Sequence, residues 1–226
     1  MMVGMTDESV GDSARAVRAQ ILATEHWSLL ATRSQTWAEV MGRISTQFTF
    51  ASASLVVLAL AVQVTGMNTS FRLLAVWLGV SVLATGTLTA LRVRNASQED
   101  VMLVAAMNRL RAAYIEIDPW VRDHLVTGWT DDPAGIQRTY TMGFQRRGLT
   151  PFFASTFVFA AAVNIIIAAG LGAVLADTAG TGGAATALIG CAAAIVYAGF
   201  VVYPAHRGYR QVQRGWTPAA TNNGNA

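Results

Sequence analysis

The sequence contains no lysine and a single cysteine, and only 13% of its 226 residues are charged, against roughly a quarter in an ordinary soluble domain. One cysteine, Cys191, excludes an intrachain disulfide and with it the small disulfide-stapled secreted folds. All the basic residues are dispersed arginines, and a net charge of +3 argues against a nucleic-acid-binding surface. What remains is a chain that is 53% hydrophobic with a mean hydropathy of +0.41. This composition is typical of a membrane protein.

Four long stretches contain no charged residue: 44–71, 73–91, 148–176 and 178–205. A hydrocarbon core about 30 Å thick requires roughly 20 helical residues, so each stretch can span it. The alternative, buried helices of a large soluble protein, is disfavoured because too few polar residues remain to cover four such helices. The sequence therefore predicts an all-α polytopic membrane protein with four transmembrane helices and a cytoplasmic helical bundle.

The arginines predict the orientation. If the amino terminus is cytoplasmic, every arginine except Arg72 lies on the cytoplasmic side, as the positive-inside rule favours. We therefore expect a multi-pass protein of the bacterial inner membrane with both termini in the cytoplasm and short external turns at 66–70 and 177–183. The polar, acidic start of the chain does not resemble a cleavable signal peptide. The expected segments are a disordered amino terminus (1–13), a cytoplasmic helix continuous with span one (14–45), a first membrane hairpin (46–92), a cytoplasmic helical segment (93–147), a second hairpin (148–205) and a cytoplasmic tail (206–226).

Helical signals continue outside the spans. Large residues recur at a 3-4 spacing before span one and again in the central segment, which predicts packed helices. Pro119 is expected to kink or break the central helix, and Thr130 to Pro133 is a helix-start signal. The two series are Trp27, Leu30, Ser34, Trp37, Met41, Ile44 and Phe48, and Leu103, Met107, Leu110, Tyr114, Ile117 and Val121.

Tryptophans are concentrated outside the predicted spans. They indicate either a packed bundle, within one chain or between subunits, or a docking surface for another protein. The candidates for this cytoplasmic interface are Trp27, Trp37, Trp120 and Trp129.

Small residues recur every four positions in the third and fourth spans, which predicts close packing of these helices. The stripe in the third span is interrupted by Asn164, interpreted either as an interhelical hydrogen bond or as a permeation site. Ser81, Thr85 and Thr89 form a hydroxyl stripe that either returns hydrogen bonds to the helix backbone or lines a pore. The packing candidates are Ala160, Ala168, Gly172, Thr186, Gly190, Ala194 and Ala198.

Catalytic and metal-binding patterns are not found in the sequence. The three histidines, His26, His124 and His206, lack metal-ligand spacing, and Cys191 sits among small residues. No phosphate-cradling glycine loop or nucleophile elbow is present. We therefore expect a non-enzyme without metal or cofactor. The absence of ionisable residues from the span centres also disfavours ion-coupled transport.

Residues 25–34, Glu-His-Trp-Ser-Leu-Leu-Ala-Thr-Arg-Ser, precede a helix that enters a membrane hairpin. This arrangement resembles four-span integral membrane proteins of high-GC, actinobacterial-type bacteria, and the exclusive use of arginine agrees. More loosely, the helix-plus-hairpin plan resembles SLATT-type effector domains. That resemblance implies an action on membrane integrity, although this chain has two hairpins where the simple domain has one.

The expected function is that of a non-enzymatic homo-oligomer that acts in the lipid bilayer as a pore or membrane effector. One alternative is a scaffold or accessory subunit that binds a protein partner through its cytoplasmic helices. A second alternative is a small-solute transporter. No nucleic-acid partner is expected.

Overall fold

The computed structural model describes residues 7–144 and 155–215, most of which are helical, with no strand among them. Four of the helices are long and apolar enough to cross a membrane, which confirms the all-helical class and the four long apolar helices expected from the sequence. The elements are α1 (Asp7–Thr65), α2 (Thr69–Ile117), a 3-10 helix (Pro119–His124), α3 (Pro133–Thr141), α4 (Thr156–Thr178) and α5 (Gly183–Gly215).

Short turns connect the paired apolar helices. Gly66, with a φ of +63°, ends α1, and the side chain of Asn68 accepts a hydrogen bond from the backbone N–H of Phe71 as α2 begins. Gly180, with a φ of +78°, lies between α4 and α5. Glycine adopts this left-handed conformation without a steric penalty, so both chain reversals need only a few residues. They fall within the external turns that the sequence predicts.

One predicted boundary differs from the structure. The amino terminus was expected to be disordered through residue 13, but α1 already begins at Asp7, and residues 1–6 lie outside the described range. Ser13 donates to the carbonyl of Val10, and Arg15 pairs with Asp12 at 3.1 Å, so these side chains lie within the helix. At the other end, α5 continues to Gly215, so the first part of the predicted tail is helical; the run after position 206 is rich in arginine and glutamine, which favour helix. Residues 216–226 of the predicted tail lie outside the described range.

The chain divides into two compact units. The charged unit comprises Met1–Thr36, Gln98–Arg147 and Trp216–Ala226, and the span unit comprises Trp37–Ser97 and Gly148–Gly215. Helices α1 and α2 contribute residues to both units.

The span unit buries small side chains and exposes large ones. A cluster of Val40, Val93 and Ala96 has Trp37, Ile44 and Phe157 packed against it. Elsewhere in the unit the buried positions are mostly alanine and glycine, whereas Trp77, Ile166, Leu188 and Ile195 are exposed. This distribution suits a bilayer, where large apolar groups can face lipid and small residues allow helix backbones to approach closely.

The charged unit forms around turn signals that were readable in the sequence. Helix α2 ends at Ile117 because Pro119 cannot continue it, and the Asp118 carboxylate accepts from the backbone N–H of Trp120. Helix α3 begins at Pro133, and the Asp132 carboxylate accepts from the N–H of Gly135 at 2.7 Å. Both the predicted break and the predicted helix start are therefore confirmed.

The buried face of α1 in the charged unit is offset from the predicted apolar series. Trp27, Leu30 and Ser34 are exposed, whereas the position immediately before each of them is partly buried. These partly buried residues are His26, Leu29 and Arg33. Hydrophobic spacing missed this face because two of its three side chains are polar, and each of these has a specific partner.

Candidate functional site

The candidate site lies in the span unit, where α1, α2 and α4 meet. It consists of Gln47 on α1, Gly86 on α2 and Asn164 on α4. The side chains of Gln47 and Asn164 are only 8% and 2% exposed. Gln47 lies on the same face of α1 as the buried Val40 and Ser54, at helical spacing. Asn164 lies eight residues into α4, which is roughly 12 Å along its axis at 1.5 Å per residue.

Glycine at position 86 allows the two amides to meet. The Nε2 atom of Gln47 donates to the backbone carbonyl of Val82, one turn before Gly86, at 2.9 Å. A β-carbon added at Gly86 would collide with the Oδ1 atom of Asn164 and lie 2.8 Å from the Nε2 atom of Gln47. Both amides therefore occupy the space that a side chain at position 86 would fill.

A small cavity adjoins these amides. The space open to the centre of a water molecule is about 10 Å³, close to what one water requires. Within the described residues, the Asn164 side chain has no hydrogen bond to a protein group, although an amide in an apolar environment demands a partner. The cavity is lined by Ile44, Gln47, Phe48, Gly86, Thr89, Ala160, Val163 and Asn164.

The small-residue stripe that contains Asn164 faces inward. Ala160, Ala168 and Gly172 are buried on α4, each one turn or a multiple of it from Asn164. On α5, Gly190 is buried, and Thr186, Ala194 and Ala198 are partly buried.

Helices α4 and α5 approach closely at glycines. A β-carbon added at Gly172 would lie 2.6 Å from that of Ala193, and one added at Gly190 would lie 2.9 Å from the carbonyl oxygen of Ala169. The two backbones are thus in contact along this face, where dispersion and weak Cα–H hydrogen bonds hold helices together in lipid.

The hydroxyl stripe on α2 does not act as one surface. Each hydroxyl donates to a carbonyl one turn back: Ser81 to Trp77 at 2.8 Å, Thr85 to Ser81 at 2.9 Å and Thr89 to Thr85 at 3.0 Å. Thr85 is exposed, Ser81 is partly buried, and Thr89 is buried at the cavity. Only Thr89 therefore belongs to the site.

Sequence reasoning identified Asn164 but missed Gln47 and Gly86. Gln47 lies in the first charge-free stretch, and its spacing from the buried Val40 and Ser54 was the available signal. Gly86 has no chemistry of its own, and its role depends on what α1 and α4 place beside it.

An ion pair connects the two turns of the span unit. Arg72, next to the first turn, pairs with Asp177, next to the second, at 3.0 Å. Both side chains remain partly accessible, so the pair is expected to contribute modestly. It joins the end of the first apolar helix pair to the end of the second.

The four tryptophans of the predicted interface have different surroundings within their own units. Trp27 is 70% exposed and Trp120 is 66% exposed, whereas Trp37 packs against the Val40 cluster of the span unit. In the charged unit, the Trp129 ring lies 5.2 Å from the Arg122 guanidinium and 4.8 Å from that of Arg138, and these cation–π contacts bind the loop to α3.

Buried polar groups in the charged unit have partners. The fully buried Asn108 donates to the carbonyl of Thr130 at 2.8 Å and accepts from the Thr139 hydroxyl at 2.8 Å and from Arg111 at 2.6 Å. Asp131, also fully buried, accepts from Arg109 at 2.7 Å. These contacts hold the loop and α3 against α2, which is a structural role.

Two further contacts bring α1 to the same unit. The Asp100 carboxylate accepts from Arg33 at 2.6 Å and from the Tyr140 hydroxyl at 2.6 Å. The His26 ring stacks on the Tyr114 ring, with centroids 6.1 Å apart. Burial, and to a lesser extent the positive charge of Arg111, lower the pKa of the His26 imidazole below its usual 6.5.

Among the side chains that the structure describes there is no cluster of three or more metal-ligating groups, and Cys191 is exposed on α5. Comparisons with known protein families, with curated proteins and with solved structures find no match.

Proposed function

We propose that this chain is a non-enzymatic bacterial inner-membrane protein that assembles into a homo-oligomer and acts as a pore or membrane effector. The observation that supports this is the free face of α1 in its apolar stretch. That face carries glycine, hydroxyl residues and alanine, and it is exposed in the single chain. Its residues are Gly42, Ser45, Thr46, Thr49, Ser52 and Ala53.

This small-residue face of α1 lies opposite the face that packs inside the span unit. At 100° per residue, Thr49 and Ala53 point away from Gln47 and Ser54, which are buried. A β-carbon added at Gly42 would find no atom within 4 Å. The face is therefore open to a neighbour, and small residues are what helices in membranes use to approach one another.

The two threonine hydroxyls on this face need no lipid or protein partner. Thr46 donates to the carbonyl of Gly42 and Thr49 to that of Ser45, each at 3.0 Å. Satisfied hydroxyls tolerate packing and still offer lone pairs to water. Because the cavity inside one chain admits about one water, the proposal places a conducting path between copies of α1.

Reconstitution in liposomes tests the proposal. We expect wild-type protein to release small ions, and Ala53→Leu on the small-residue face to weaken both oligomer formation and flux. The matched control is Ala84→Leu, at an exposed position of α2, which should leave both unchanged. A monomeric protein, or no flux at any voltage or pH, would contradict the proposal.

Proximity of α1 copies can be measured directly. In a Cys191→Ala background, Ser52→Cys should form a disulfide-linked dimer in membranes, because this position faces the neighbouring chain. Ala84→Cys in the same background is the control, and that variant protein should remain monomeric under the same oxidant.

The same proposal places both termini in the cytoplasm. The arginine distribution supports this orientation, because it leaves only Arg72 outside the cytoplasm, beside the first turn. The charge of Arg72 is paired with Asp177. The test uses the Cys191→Ala background and cells whose outer envelope is permeabilised but whose inner membrane is intact. Ser70→Cys and Gly182→Cys should react with a membrane-impermeant maleimide, whereas Ser34→Cys should not. The opposite pattern would reverse the topology.

A second candidate is a scaffold that binds another protein through the charged unit. It is favoured by the exposure of Trp27 and of Trp120, whose ring lies against His124 with centroids 3.8 Å apart. Trp27→Ala or Trp120→Ala should then abolish co-purification of a partner, whereas Trp77→Ala, equally exposed but in an apolar stretch, should not. Wild-type protein that purifies without any partner would refute this candidate.

A further inference from the structure

We propose that the cavity between Gln47, Thr89 and Asn164 is a binding site for one water molecule inside the span unit. The proposal is independent of oligomer formation, because every lining residue comes from the same chain. Three observations support it: the size of the cavity, the neutrality of its lining and the hydrogen-bonding capacity left free in its walls.

Size limits the occupant to something as small as water. About 10 Å³ is open to the centre of a water molecule, whereas a larger polar solute would need several times that space. The lining side chains come from three helices, and protein interiors pack densely, with few voids larger than a water molecule.

Charge excludes a cation of similar size. None of the eight residues that line the cavity carries a charge. A sodium ion there would be an uncompensated charge in an apolar region, which is costly, whereas a neutral water adds no such cost. The occupant is therefore expected to be neutral.

Hydrogen bonding requires an occupant that both donates and accepts. The Asn164 side chain is 98% buried and has one acceptor oxygen and two N–H donors without partners among the described residues. Gln47 uses one N–H on the carbonyl of Val82 and retains a second, and the Thr89 hydroxyl donates to Thr85 and can accept. Water satisfies all three groups, and buried waters commonly make about three hydrogen bonds.

The consequence is a polar junction of three helices. Water would complete the link between α1, α2 and α4 that the direct hydrogen bond from Gln47 to Val82 begins. The water site also gives the glycine at position 86 a role beyond close packing, since any side chain there would displace the Asn164 amide from the cavity.

Nuclear magnetic resonance of selectively ¹⁵N-asparagine-labelled full-length protein in lipid nanodiscs tests the site. We expect the side-chain NH₂ of Asn164, assigned by its loss in Asn164→Leu, to show a cross-relaxation peak to a long-lived water. Absence of that peak in the wild-type protein would overturn the proposal.

A matched pair of variants locates the water. Ala160→Val adds two methyl groups at a lining position and should remove the water peak while the Asn164 resonances persist. Ala162→Val, on the exposed side of the same helix, should leave the peak intact. A peak of unchanged intensity in Ala160→Val would place the water elsewhere and refute the site.

The cation alternative is decided on wild-type protein, so the test does not depend on whether Ala160→Val folds. The Asn164 side-chain resonances should be the same in sodium chloride and in choline chloride of equal concentration. Resonances that shift with sodium would show an ion site and overturn the assignment to water.

Discussion

The approach of α4 to α5 makes Gly172→Ala a sharp test of the span unit. The new β-carbon would lie 2.6 Å from the β-carbon of Ala193 and 3.4 Å from the α-carbon of Gly190. Non-bonded carbons rest about 3.5 to 4.0 Å apart. The two helices would therefore have to separate locally by roughly 1 Å, since both contacting atoms belong to or adjoin a backbone.

The size of the effect follows from two opposing terms. Overpacking of this kind costs about 1–3 kcal/mol, and exchanging glycine for alanine in a helix returns about 0.8–1.0 kcal/mol. Gly170→Ala is the control, because it lies on the same helix and its added β-carbon meets no atom within 4 Å. The control keeps only the favourable term, so the two variants should differ in stability by about 1–3 kcal/mol.

Reversible unfolding in mixed micelles, followed by circular dichroism as the fraction of sodium dodecyl sulfate rises, measures this difference. Gly172→Ala should unfold at a lower fraction than wild type, and Gly170→Ala at an equal or higher one. If Gly172→Ala matched or exceeded the control, the close approach of α4 and α5 would be refuted.

Three further predictions concern the charged unit. Asp100→Asn should lower the free energy of unfolding of the unit by about 2 kcal/mol, because the buried carboxylate that Arg33 contacts becomes neutral while Arg33 stays partly exposed. An unchanged midpoint of thermal unfolding in detergent would show that the ion pair is dispensable. Gly135→Ala should cost about 1–3 kcal/mol by forcing a β-carbon against a backbone carbonyl of the preceding loop, and it should expose that loop to limited proteolysis, whereas continued resistance would argue against the contact. Burial and the charge of Arg111 lower the pKa of His26, so the unfolded chain binds a proton more readily than the folded chain. The free energy of unfolding should therefore be highest above pH 6.5, the usual pKa of histidine, and should fall as the pH drops through and below 6.5. His26→Phe should flatten that dependence in thermal unfolding at several pH values, and an undiminished slope would assign it to other groups.

Features that depend on local sequence were predictable. The four apolar helices follow from the length of the charge-free stretches, and the start of α3 follows from Asp132 and Pro133. Both signals are carried by neighbours in the chain, so they need no knowledge of tertiary partners.

Contacts between helices were predictable only in part. The small-residue stripes predicted the close approach of α4 and α5, but no local signal identified the partners of buried polar side chains. Hydrophobic spacing placed the buried face of α1 one position too late, because it scores His26 and Arg33 as exposed when Tyr114 and Asp100 give them partners. The candidate site shows the same limit, since Gln47 becomes significant only once Gly86 of another helix lies beside it.

The order of Gln47, Gly86 and Asn164 along the chain bears on how the protein is made. The ribosome synthesises the glutamine and the glycine before the asparagine. The two helices that leave space for the asparagine amide are therefore made before the second pair of helices leaves the translocon. In a chain with these elements permuted, the asparagine would be inserted before the space beside the glycine exists, and its amide would face lipid, which offers no hydrogen bond.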